Sequence, residues 1–181
     1  MKKIIVGALV GAILIFIWQT LSWAVLDLHH PYYAYTDKQD TLLHTIESSL
    51  SKEGQYMLPT VPVGASMAEY EKCVKEKEGK PWAIITYHTN YHVNMGTNMA
   101  RELAVDLVML LLFCWMLSKF NAPSFATIFL ASVFMGLISF IYGPYTLNIW
   151  FQGPGLKLDL LDAIASWGIT GIWLGWWMRK K

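Results

Sequence analysis

Ile4 to Leu26 reads IIVGALVGAILIFIWQTLSWAVL, about 23 residues without a single charge. A helix that crosses the hydrocarbon of a bilayer needs about 20 such residues, so this stretch sets the class of the chain. Lys2 and Lys3 precede it. Working outward, three more apolar stretches follow: Leu103 to Ser118, Pro123 to Tyr142 and Leu158 to Met178. Taken as four spans they predict a membrane all-α fold, a four-transmembrane-helix bundle. Its spans cover 4–26, 101–118, 123–143 and 158–178. A small extracytoplasmic α/β module fills 27–100 between helices 1 and 2, and an extracytoplasmic aromatic loop fills 144–157.

Charge sets the expected orientation. On this topology all 13 acidic residues fall on one side. The other side carries Lys2, Lys3, Lys119, Arg179, Lys180 and Lys181 without a carboxylate. Positive charge collects on the cytoplasmic ends of membrane helices, which predicts cytoplasmic N- and C-termini and a multi-pass protein of the inner or plasma membrane. The alternative for the first stretch is a signal peptide, with Lys-Lys as its n-region and Ser22-Trp23-Ala24 as a poor cleavage site. The length of the apolar run favours an uncleaved anchor, because signal h-regions are shorter.

At 181 residues, more than half of them apolar, the chain has room for a helical bundle and one modest module. A large catalytic domain does not fit. No basic run is long enough for a nucleic-acid surface, so neither DNA nor RNA is an expected partner. Cys73 lies in the module and Cys114 in the second span, an arrangement that predicts no disulfide. Small residues one helical turn apart suit close helix packing: Gly7 with Gly11, Ser132 with Gly136, and Gly168, Gly171 and Gly175. Trp18 and Trp23 near one end of the spans, and Trp115, Trp173, Trp176 and Trp177 near the other, read as interfacial belts.

The module shows two capping boxes. Thr36 with Gln39 predicts a helix from about Asp37 to Glu53 through Leu42, Leu43, Ile46 and Leu50. Ser66 with Glu69 predicts a second through Met67, Tyr70 and Val74, stopped at Gly79. Gln55 to Val61 and Trp82 to His88 have strand composition, the first pushed to a sheet edge by Pro59. Two strands and two helices bury little surface, so the module is expected to rest on another surface. Tyr145, Trp150 and Phe151 in the aromatic loop are either a floor for it or residents of the lipid headgroup layer.

Chemistry is sparse. The ionisable residues at the starts of the second and fourth helices are the strongest signal: Arg101, Glu102 and Asp106, then Lys157, Asp159 and Asp162. Each aspartate at the deeper position lies five residues beyond its basic residue, roughly 7 to 8 Å along the axis at 1.5 Å per residue. Asp106 and Asp162, supported by Glu102 and Asp159, are therefore candidates for binding an ion or proton. The competing expectation is structural, with Arg101 and Lys157 as their charge partners. His88 and His92 are spaced for one face and are weak metal candidates, but Thr89 stands where a zinc protease places its glutamate. His29, His30 and His44 complete the histidines. No catalytic motif is present and no cofactor is expected.

The expected function is a non-enzymatic polytopic membrane protein whose module forms a binding or assembly surface. The expected partners are the lipid bilayer and a membrane protein or a second copy. Two alternatives follow from the acids: a small proton- or cation-coupled transporter or channel subunit using Asp106 and Asp162, and a membrane-embedded enzyme at the outer interface.

Overall fold

The structure, a computed structural model, describes residues 1–179; Lys180 and Lys181, two of the expected cytoplasmic cations, lie outside the described residues. Seven helices and two strands follow in order: α1 Lys2–Thr20, α2 Gln39–Ser49, β1 Gly54–Leu58, α3 Met67–Lys77, β2 Ala83–Tyr87, α4 Met95–Leu117, α5 Phe125–Phe140, α6 Thr146–Trp150 and α7 Leu156–Met178. They divide into two compact units, Met1–Ala34 with the chain from Asn94 onward, and Tyr35–Val93.

The expectation of a four-transmembrane-helix bundle is overturned. Among the described residues only two helical stretches are long and apolar enough to cross a membrane, Lys2–Val25 and Phe125–Trp150. The physical reason differs for the other two. Arg101, Glu102 and Asp106 all fall within α4, whose ends are fixed by Asn94 capping Thr97 N–H at one side and Ser118 at the other. In α7 the acids Asp159 and Asp162 are joined by glycines, a serine, threonine and tryptophans, which dilute its apolar character.

The first unit is built around α1, which packs against both α4 and α7, while α5 packs on α7. Gly7 and Gly11 make this close. A methyl group on Gly11 would stand 3.0 Å from Leu110 of α4 and 3.3 Å from Thr170 of α7. The G-x-x-x-G face is thus consumed inside the chain. The core gathers Ala8 and Ile15, Leu110, Phe113, Cys114 and Leu117, Ile128, and Trp167 and Leu174. Phe113 meets Trp167 edge-on at 5.2 Å, which joins α4 to α7.

Two tryptophans do more than mark depth. Trp173 Nε1 donates to the Gly7 carbonyl at 3.2 Å and Trp177 Nε1 to the Lys3 carbonyl at 2.8 Å. Lys3 Nζ in turn donates to the Arg179 carbonyl at 3.0 Å. The two ends of the described chain therefore lie side by side, and α7 runs antiparallel to α1.

Two helices widen into π turns. At Leu21–Val25 the N–H of Leu26 reaches back five residues to the Leu21 carbonyl at 2.8 Å. Asp27, in the left-handed region at φ 48°, then turns the chain back on itself, a conformation that aspartate tolerates better than most residues. At Ile141–Tyr145 the cause is Pro144 inside the helix, which has no N–H to donate. The Thr146 hydroxyl donates to the Ile141 carbonyl at 2.7 Å and fills part of the gap. Much of the expected aromatic loop is consequently helical, through α6.

In the second unit β1 pairs antiparallel with β2, Tyr56 opposite Ile85. Ser66 and Glu69 form the reciprocal capping box at the start of α3, and Gly79 at φ 73° follows its end. Thr36 does not cap α2; its hydroxyl accepts from the Lys38 N–H at 3.3 Å, and the helix starts only at Gln39. No residue of 35–93 is buried.

The Ser66 N–H and hydroxyl both donate to the Glu69 carboxylate and hold its pKa below the ordinary value. A depressed folded pKa means the box contributes fully above the unfolded value and is lost as pH falls through the folded one. The protection of the Ser66, Glu69 and Tyr70 amides, taken relative to the intrinsic exchange rate at each pH, is therefore expected to fall only once pH drops below the ordinary carboxylate range. Protection that stays flat through that range would show that the box does not hold the first turn.

Candidate functional site

The widened end of α1 and the turn at Asp27 direct a short loop against the first two turns of α7. Asp162 is the focus. Its Oδ1 accepts from Trp18 Nε1 at 3.0 Å and from Ser22 Oγ at 2.8 Å, and its Oδ2 lies 3.1 Å from His29 Nε2. Ser22 is 0% exposed and His29 4%. The His29 ring stacks on Trp23 at 3.8 Å with an interplanar angle of 5°. One turn earlier on α7, Asp159 accepts from the hydroxyl of Tyr32. Burial and that bond to a carboxylate together raise the pKa of Tyr32 well above its ordinary value, so it remains a donor.

Ser22 has one hydroxyl hydrogen, directed to Asp162. The Oδ2 contact takes a hydrogen from His29 Nε2, while Ser22 Oγ stands 3.4 Å from His29 Nδ1, the longest separation in the cluster.

Serine, histidine and aspartate together invite a nucleophilic reading, which the geometry opposes. In a hydrolytic triad the serine gives its proton to the histidine and the carboxylate orients the far side of the ring. Here the serine donates to the carboxylate itself and is sealed from substrate. The cluster is a three-donor latch on Asp162, binding the loop after α1 to α7.

Asp106 is placed differently. It is 3% exposed, its Oδ2 has no hydrogen-bond partner among the described residues, and the amide of Gln19 from α1 lies against it. Both deep aspartates therefore meet the same end of α1, Asp162 at Trp18 and Ser22 and Asp106 at Gln19. Glu102 and Asp162 line a cavity of about 640 Å³ between α1, α4 and α7. Arg101 and Lys157 are exposed, and among the described residues neither forms an ion pair with the aspartates. Sequence reasoning missed Trp18, Ser22 and His29 as partners of Asp162. The available signal was three polar residues, Gln19, Thr20 and Ser22, at the end of a long apolar stretch.

His88 and His92 are both exposed, and among the described residues no group of three or more histidine, cysteine or acidic side chains is placed to hold a metal. The fold and site define a class only: a helical protein with two apolar helices of membrane-crossing length and a latched carboxylate in its helical unit. No protein-family model matches the chain, and no curated protein or solved structure matches it.

Proposed function

We propose that the chain is a non-enzymatic, membrane-anchored assembly protein whose 35–93 unit docks onto a partner protein. The carrying observation is that this unit buries none of its residues although two of its helices are amphipathic. Leu42 and Leu43 on α2, and Met67, Tyr70 and Val74 on α3, form apolar stripes that remain exposed. Apolar faces of this kind are stable in water only when another surface covers them.

A protein surface suits them better than lipid headgroups. Helices that lie on membranes carry a polar face rich in lysine and arginine. The polar face of α2 holds Asp40 and Glu47 with no lysine or arginine, and α3 mixes Glu69, Glu71 and Glu76 with Lys72, Lys75 and Lys77.

Anchoring in the inner or plasma membrane rests on the two apolar helical stretches, and Lys2 and Lys3 favour a cytoplasmic N-terminus. The bond from Lys3 to Arg179 supports the same side for the end of α7.

A photo-crosslinking residue placed at Leu43 or Tyr70 in living cells is expected to give a discrete protein adduct, either with a second protein or at twice the chain mass. The same residue at Lys75, on the polar face of α3, is expected to give little. Lipid adducts alone, or equal yields from all three positions, would overturn the docking surface.

A further inference from the structure

We propose that the cavity between α1, α4 and α7 binds an amphiphilic organic cation, an apolar body that carries one positive charge. At about 640 Å³ its volume falls among those of small-molecule sites. Trp18 and Trp23 line it from the first helix, Met95 and Met99 from α4, and Glu102 and Asp162 add two carboxylates. Indole faces attract cations and thioethers adapt to irregular apolar shapes. Among the described residues no lysine or arginine lines the wall.

The charge balance calls for a cation. The latch occupies both oxygens of Asp162 with donors from Trp18, Ser22 and His29. Glu102 has no hydrogen bond or ion pair among the described residues. Asp106, one turn further along α4, is buried with Oδ2 unpartnered. Gln19, which both lines the cavity and lies against Asp106, has its Oε1 buried without a donor. On the wall itself the Glu102 carboxylate stands without a positive partner among the described residues, and the buried Asp106 behind it, which does not line the cavity, adds to the negative side. A bare metal ion fits poorly, because most of the lining is apolar and no three-ligand group is present among the described residues.

Such a cation has two sources, the amine of a lipid headgroup or a free amphiphilic amine. The test uses the full chain in nanodiscs, with radiolabelled tetraphenylphosphonium as probe and empty nanodiscs subtracted. Saturable binding is expected, weakened about tenfold in Glu102→Gln, the equivalent of one charge contact. Glu102 is exposed, so this variant keeps the fold. Discs of phosphatidylglycerol alone are compared with discs containing phosphatidylethanolamine. Weaker probe binding in the second identifies the headgroup amine as occupant, and equal binding identifies a free cation. Two results overturn the proposal: the neutral isostere tetraphenylsilane competing as well as the cation, or Glu102→Gln binding the probe as the wild type does.

Discussion

Gly136→Leu is expected to force α5 away from α7 and to lower the melting temperature of the full chain in detergent by several degrees or more. A β-carbon at position 136 would lie 2.5 Å from the Ala163 carbonyl oxygen and 2.9 Å from the Trp167 ring. The first is backbone and cannot rotate aside, so one helix must shift. Overpacking a tight contact costs about 1–3 kcal/mol, and a whole leucine against a carbonyl belongs at the upper end. For a chain of this size each kcal/mol moves the melting point by roughly 2–4 °C. Gly168→Leu is the control, because an added β-carbon there meets nothing within 4 Å. Equal melting of the two variants would mean that α5 and α7 do not approach as closely as described.

The two deep aspartates are expected to respond to neutralisation with opposite signs. Asp162→Ala removes the acceptor shared by Trp18, Ser22 and His29, leaving buried donors without partners. Each buried donor left unmet costs about 1–3 kcal/mol. Asp106→Asn removes a buried carboxylate whose Oδ2 has no partner and leaves a neutral amide beside Gln19. Stability is then kept or raised, by up to about 1–3 kcal/mol, the usual penalty of an unsatisfied buried group. Thermal melts of both variants at pH 7 read the difference directly. A large loss in Asp106→Asn would show that an unseen partner compensates that carboxylate, and an unchanged melt in Asp162→Ala would show that the latch contributes nothing.

Local signals carried far in this sequence where a single residue dictates geometry. Ser66 and Glu69 begin α3 because their reciprocal bonds satisfy two helix-end donors, and Gly79 follows its end because it adopts positive φ without strain. Thr36 had the same spacing to Gln39 but spends its hydroxyl on a turn at Lys38, a competition that spacing alone does not reveal. Hydropathy ran ahead of the structure at α4 and α7, whose apolar runs suggested two further spans while charges within α4 and tryptophans and glycines within α7 weakened them. The carboxylates were legible as unusual. Their partners were not, because the contacts of Asp162 come from residues about 140 positions away in the chain, brought near by the π turn and the left-handed Asp27.

The position of α7 carries a consequence for the order in which the protein is made. α5 finds its main helical neighbour in α7, and α7 also packs along α1. During synthesis α1, α4 and α5 leave the ribosome before it. At about 5–20 residues per second, α5 waits seconds for the segment that ties it to the first helix. Until then the carbonyls of Lys3 and Gly7 have no indole to receive, and Gly136 has no backbone to press against. The packing of α5 is completed only when α7 arrives, so a chain halted before Leu156 would leave α5 without its partner.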